Sequence, residues 1–149
     1  MKPYTFIFDI DGTIADTSHR QHYMREKRKN WKAFYDEMVN DPPVVPTVRI
    51  LESLKQAGYK IVLVSGRPNN YRLTTEQWLK ANYIQYDALY MREEFDYRAD
   101  NTVKQEIYNN FIEPNYNVIG VFEDRKRVKR MWVENNIFVF DVNQNDEEF

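Results

Sequence analysis

The chain contains no cysteine. Disulfides, thiolate metal sites and cysteine nucleophiles are excluded, and the absence fits a reducing compartment. Glycine and proline are scarce, 4 and 6 among 149 residues, which argues against collagen-like or low-complexity architecture. No apolar run approaches the ~18 residues of a membrane span. The opening residues, Met1 to Thr5 and then Phe6-Ile7-Phe8, become acidic too soon for a signal peptide. A soluble, cytoplasmic protein with no membrane partner is therefore expected. Neither sign of charge dominates: 21 basic against 23 acidic residues leave −2. The whole chain is not a basic nucleic-acid coat, although a local basic patch stays open.

What is present argues for a folded domain. Aromatics make up 15% of the residues, a content that disordered chains lack. The length suits one domain with a sizeable core, taken as residues 1–149. Four short apolar runs stand out: Tyr4 to Phe8, Ile61 to Val64, Val118 to Phe122 and Ile137 to Phe140. Continuous runs of β-branched and aromatic residues suit buried parallel strands covered on both faces. Helical spacing lies between them. Ile50, Leu51 and Leu54 share a stripe that Gly58 would end. Tyr71 to Ala81 and Thr102 to Phe111 follow the same pattern. Asp124 is placed to cap a helix from Arg125 to Asn135, with Val128, Met131 and Trp132 inward. The alternation predicts an α/β fold with a Rossmann-like open parallel sheet.

Residues 14–46 break the alternation. Trp31, Phe34, Tyr35 and Met38 form an amphipathic pattern, followed by the turn-rich Asp41-Pro42-Pro43. The segment reads as a small helical cap inserted after the first strand, leaving a core of 1–13 and 47–142. The tail from Asn143 to Phe149 is acidic and is expected to fray.

Chemistry collects at the strand ends. Asp9-Ile10-Asp11-Gly12-Thr13 follows the first strand, and open α/β sheets bind ligands beyond the carboxyl ends of their strands. Two carboxylates at i and i+2 can hold a divalent cation, or one can attack while the other moves a proton. The plain alternative is two loop aspartates capping a turn. Ser65-Gly66-Arg67 follows the second strand and offers a hydroxyl, open amides and a guanidinium to phosphate oxygens. Asp100 and Lys104 stand at i and i+4, where a pair is most often a solvated bridge. Glu123-Asp124 follows the third run, and two acids there would repel unless a cation lies between them.

These four pieces, in this order, resemble the motifs of the haloacid dehalogenase superfamily of phosphotransferases, over nearly the whole chain. DIDGT matches the first motif and VLVSGRP the second. Lys104 stands at the third-motif lysine, and VFEDR matches the acidic fourth. The SGR form, the Asp-x-x-x-Lys form and the helix after Asp124 are similar to the phosphatase half of phage polynucleotide kinase/phosphatase. That resemblance implies substrate-phosphate arginines at Arg20 and Arg67 and a structured acid at Asp100. One departure is Glu123-Asp124 where the family usually has Asp-Asp. The change is mild if the second acid binds metal, and displaces the cation if the first does. No Gly-x-x-x-x-Gly-Lys-Ser/Thr loop occurs, so a phosphatase-like domain without a kinase half is expected.

The resemblance implies a Mg²⁺-dependent phosphomonoesterase. Asp9 would attack phosphorus and form an aspartyl-phosphate, and Asp11 would act as acid and then base. The Mg²⁺ ligands would be Asp9, the Asp11 carbonyl and Asp124, with Glu123 behind them. Thr13, Ser65, Gly66, Lys104, Arg125 and the two arginines would serve the phosphate. Charge placement bears on the substrate. Residues 20–32 carry six basic residues against Glu26, and residues 125–130 carry five and no acid, together 11 of the 21. A phosphate backbone would meet that field, and His19, His22, Tyr23 and Trp31 offer faces for stacking. The partner expected is a phosphorylated nucleic-acid end, with removal of a 3′-phosphate. A nucleotidase for free 3′- or 5′-mononucleotides is the alternative, followed by a weakly active phosphate- or nucleic-acid-binding module.

Overall fold

The computed structural model describes residues 1–144, so positions 145–149 of the acidic tail lie outside the described residues. Five parallel strands form one sheet in the order β3-β2-β1-β4-β5. They are β1 (Tyr4–Phe8), β2 (Lys60–Pro68), β3 (Ala88–Arg92), β4 (Asn117–Glu123) and β5 (Val139–Asp141). The helices are α1 (Trp31–Asp36), α2 (Val45–Gln56), α3 (Arg72–Ala81), α4 (Asp100–Ile107) and α5 (Lys126–Glu134). This is the expected α/β sheet. The central strands read as unbroken apolar runs because both faces are covered. Phe6, Phe8, Ile61 and Leu63 face a core that includes Leu51, Trp78 and Leu79 from α2 and α3. Ile7, Val62, Val64 and Val121 face the other core, with Val103, Val128, Met131 and Trp132 from α4 and α5. Among the described residues no helix is long and apolar enough to cross a membrane.

Several local expectations change. Ala88–Arg92 is a strand that the four apolar runs did not include. It is an edge strand with only Leu89 and Met91 buried, so it carries alternation and no continuous run. The second strand continues to Pro68, which puts Ser65, Gly66 and Arg67 inside β2 and not after it. The last strand is shorter than Ile137 to Phe140 and shifted toward Asp141. Ile50 is exposed and Leu51 takes the core position. The helix expected from Thr102 starts at Asp100 and passes into a π-helical turn at Tyr108–Ile112. Asp124 does not cap α5: the N-cap is Arg125, in extended conformation, and no side chain caps it.

Between β1 and α2 the chain makes a 3-10 helix (Ser18–Met24), α1 and a second 3-10 turn (Glu37–Asn40). The helical character of this insertion is as expected, but Val45 and Pro46 already belong to α2. Phe34 and Met38 are its inward residues, whereas Trp31 stays half-exposed. β1 has β2 on one side and β4 on the other. The chain order reverses there, and such a switch point opens a crevice at the strand ends.

Candidate active site

The crevice is a pocket lined on one side by Asp9, Asp11, Gly66, Arg92, Asp100, Asp124 and Arg125, and on the other by residues of the insertion. Two glycines make the approach possible. Gly12 sits at φ +81°, and a Cβ there would fall 2.0 Å from Asp124 Oδ2. A Cβ on Gly66 would fall 2.2 Å from Asp100 Oδ1. Any side chain at either position would displace a carboxylate from the pocket.

Asp9 lies directly beyond β1 and is buried. Its Oδ1 accepts a hydrogen bond from Lys104 Nζ at 2.9 Å, and its Oδ2 lies 3.4 Å from the Thr13 hydroxyl. Lys104 is itself buried, not solvated, and also donates to Glu123 Oε1 at 3.1 Å, with Asp100 Oδ2 at 3.7 Å. Burial alone would depress its pKa, but the carboxylates of Asp100, Asp9 and Glu123 hold the ammonium charged, well above the ordinary value.

Glu123 and Asp124 divide the work of the acidic pair. Glu123 Oε1 accepts from Lys104 and from Trp132 Nε1 at 3.4 Å, and Oε2 accepts from the amides of Asp124 at 3.2 Å and Arg125 at 3.4 Å. Its acceptor capacity is filled from within the protein. Asp124 differs: its Oδ1 is buried without a hydrogen-bond partner. Carboxylate oxygens of Asp9, Glu123 and Asp124 lie within 4.8 Å of one another. Burial and then the charges of Asp9 and Glu123 push the Asp124 carboxyl far above the usual carboxylate range. A buried carboxylate oxygen without a donor, beside other acids, has the character of a site for a hard cation.

Asp11 faces different company. Arg67 reaches its Oδ1 through Nη2 at 2.7 Å and Nε at 3.1 Å, and Arg20 Nη2 reaches the same oxygen at 2.8 Å. Burial works to raise its pKa, but Arg67 and then Arg20 hold it well below the usual range. Both arginines are fully buried. Ser65 Oγ accepts the Arg67 amide at 3.1 Å, which fixes the last part of the strand that carries Arg67.

Two residues of this network carry no clear signal in the sequence. Asp41, which reads there only as part of a turn, accepts from both arginines and from His19. Arg92, at the end of the unexpected β3, donates to Gly66 O at 2.8 Å and lies 3.4 Å from Asp100 Oδ1. Asp100 also meets Arg125 Nη1 at 3.3 Å. The one sequence hint of Arg92 is a basic residue closing a weak apolar stretch. Of the stacking candidates, Trp31 lines the pocket, while His19 is tied to Asp41 at 2.7 Å and His22 packs on Tyr23. Arg25, Lys27, Arg28, Lys29 and Lys32 are exposed on the insertion, as are Lys126, Arg127 and Arg130 on α5.

Comparison with known proteins gives a consistent picture. The family described as the polynucleotide kinase PNKP phosphatase domain matches residues 3–147. A protein of Autographa californica nuclear polyhedrosis virus, described as a bifunctional polynucleotide kinase/RNA ligase, is 34% identical over 149 residues, covering 99% of this chain and 20% of that protein. A chain in the structure of the Pnkp1/Rnl/Hen1 RNA repair complex matches with a TM-score of 0.86 and 35% identity, covering 98% of this chain and 44% of that one. The class C acid phosphatase of Bacillus anthracis shares the fold, with a TM-score of 0.69 at 13% identity, over 99% of this chain and 69% of that one. The chain thus spans a fifth of the viral relative and less than half of the repair-complex chain.

Proposed function

Because the chain belongs to the family of polynucleotide kinase PNKP phosphatase domains, we propose that it removes terminal phosphates, above all 3′-phosphates, from nucleic-acid ends. It is a phosphatase of the haloacid dehalogenase type. The observation that carries the finer reading is the unlike company of two carboxylates in one pocket. Asp9 stands against an ammonium and two further acids, and Asp11 against two guanidiniums. Nucleophilic phosphoryl transfer asks for such a division: one carboxylate attacks and another carries the proton.

An oxygen of Asp9 attacks phosphorus as the bond to the leaving oxygen breaks, and an aspartyl-phosphate forms. Asp11 gives its proton to the leaving oxygen, which departs as an alcohol. Asp11 then takes a proton from a water as that water attacks phosphorus, releasing inorganic phosphate and the Asp9 carboxylate. Before substrate enters, the arginines keep Asp11 ionised. A phosphate dianion competes for Arg20 and Arg67, and Asp11 then gathers the proton it gives away. Lys104 holds Asp9 in place, Asp100 orients Lys104 and Arg125, and Thr13, Ser65, Gly66, Arg67 and Arg125 serve the phosphoryl oxygens, where transition-state charge collects.

The unpartnered Asp124 Oδ1 and the nearby Asp9 suit Mg²⁺, which Asp9, Asp124 and the main-chain carbonyl of Asp11 would hold. When bound it offsets the repulsion between Asp9 and the phosphate and polarises phosphoryl oxygens. Glu123 keeps to its internal donors, so the Glu-Asp form of this acidic pair leaves the outer acid available.

The exposed basic residues of the insertion and of α5 support a polynucleotide substrate. The test is phosphate release from a 3′-phosphorylated oligonucleotide and from 3′- and 5′-mononucleotides, with Mg²⁺ and with EDTA. Preference for the oligonucleotide and loss with EDTA are expected. Asp9→Asn should abolish turnover with an unchanged circular dichroism spectrum, since an amide of the same shape is no nucleophile. Preference for free mononucleotides would move the reading to a nucleotidase, and substantial activity in Asp9→Asn would end the covalent mechanism.

A further inference from the structure

The pocket has two unlike walls. Arg92, Asp100 and Arg125 form an ionic wall, linked to one another by hydrogen bonds. Met24, Trp31, Phe34 and Tyr35 form an apolar wall supplied by the insertion. The proton donor lies toward the apolar wall. Asp11 is held by Arg20; Arg20 donates to Phe34 O at 3.1 Å and lies over the Phe34 ring at 4.3 Å. Phe34 in turn meets the edge of Trp31, with centroids 6.0 Å apart. A leaving group protonated by Asp11 is therefore delivered against aromatic rings.

Trp31 is suited to receive a flat group. It stands at the first position of α1, where Asn30 Oδ1 caps the helix by accepting from Ala33 N. Tyr35 stacks beside it with centroids 5.7 Å apart. Trp31 is 47% exposed and borders the pocket. Lys29 Nζ lies 5.8 Å from the ring centre, at the end of an exposed, flexible side chain that a stacked ring can displace. The same ammonium is then free to meet a backbone phosphate.

We propose that Trp31 is the platform on which the base of the terminal nucleotide stacks, making it a specificity-determining residue for the leaving nucleoside. The proposal rests on the phosphatase reading of the site. It gives a use to a half-exposed tryptophan that borders the pocket from the start of a capped helix.

The test compares kcat/KM for a 3′-phosphorylated dinucleotide with that for the same molecule carrying a tetrahydrofuran in place of the terminal nucleoside. Base–aromatic stacking predicts roughly a tenfold or greater preference for the base. Trp31→Ala should bring the ratio toward unity, and Trp31→Phe should keep most of it. A second readout does not need turnover. Trp78 and Trp132 are buried, so emission from the exposed indole reports Trp31. In the Asp9→Asn protein the base-bearing dinucleotide should quench that emission, the tetrahydrofuran analogue should not, and Trp31→Phe should abolish the response. A ratio near one in the wild type, a ratio that Trp31→Ala leaves unchanged, or no quenching would overturn the platform. If the wild type hydrolyses no phosphomonoester, the phosphatase reading fails alone, and quenching still decides whether a base stacks there.

Discussion

Asp41 grips Arg20 with both carboxylate oxygens: Arg20 Nε donates to Oδ1 at 2.8 Å and Nη2 to Oδ2 at 2.7 Å. Both residues are buried, and the same Nη2 also reaches Asp11. Arg67 Nη2 lies 3.4 Å from Asp41 Oδ2. One acid of the insertion thus shares two guanidiniums with Asp11 of the core. The division sets how strongly the arginines pull on Asp11 and fixes where their guanidiniums stand.

Asp41→Asn should therefore act through Asp11. With the negative charge gone, the arginines bear more fully on Asp11 and lower its pKa further. The limb on which activity falls as Asp11 loses its proton should move to lower pH. Asp41→Ala should also cost stability, on the order of 3–5 kcal/mol for removing one partner of a buried ion pair. A pH–rate profile and thermal melts separate the two effects. A lowered Tm with an unmoved pH profile would reduce Asp41 to a structural role.

Asp11→Asn should give a loss that depends on the leaving group. Substrate binding should survive, because Arg20 and Arg67 remain and can turn to the phosphate. Proton transfer by a placed side chain is worth about 10²–10⁴ in rate. The loss should be large for a sugar 3′-phosphate and smaller for p-nitrophenyl phosphate, whose leaving oxygen needs little protonation. Equal losses for the two substrates would remove the acid–base assignment.

The residues legible in the sequence are those whose position along the chain also sets their position in space. Asp9 and Asp124 each sit just beyond a central strand, and such strands announce themselves as apolar runs because helices cover both faces. β3 does not, since an edge strand with Leu89 and Met91 buried and Tyr90 between them shows only weak alternation. Arg92 and its place beside Asp100 are hidden with it. Asp41 is hidden for another reason. Its partners lie 21 and 26 positions away, and nothing in Asp-Pro-Pro distinguishes a turn from an anchor for two buried arginines. Asp124 fits an N-cap by local rule, yet it faces the acidic cluster instead, with its Oδ1 buried and unpartnered.

Metal and protons should compete at Asp124. Burial and the neighbouring acids raise its folded pKa to about 10 and that of Glu123 beside it to about 8, against about 3.9 and about 4.3 in an unfolded chain, and the two titrate as a pair. The metal-free fold keeps a proton that the unfolded chain has released. The associated stability is fully present below about pH 4 and is lost as pH rises toward 10. Tm in EDTA should accordingly fall between about pH 6 and about pH 9, and Mg²⁺ should restore more of it at the higher pH, because the cation binds the ionised form. Asp124→Asn should weaken the Mg²⁺ effect and reduce its pH dependence, leaving only the part due to Glu123. A Mg²⁺-induced rise in Tm that is equal at both pH values would place the cation elsewhere.

The route of the strand beyond its last nucleotide can be read from salt. If the terminal base lies on Trp31, the next phosphates are expected to meet Arg25, Lys27 and Arg28, which are exposed and follow Met24 of the pocket wall in the chain. Replacing these three by Ala should weaken binding of a 3′-phosphorylated oligonucleotide to the Asp9→Asn protein. It should also flatten the plot of log affinity against log salt, by about 0.7 for each phosphate of a single strand that no longer meets a basic side chain. Replacing Lys126 and Arg127, exposed at the start of α5, should change the slope less, because α5 begins beside the ionic wall. No difference is expected with p-nitrophenyl phosphate, which has no backbone to engage. If the α5 pair flattens the slope and the three insertion residues do not, the strand leaves across α5. Unchanged slopes in both variants would instead favour a free mononucleotide as substrate.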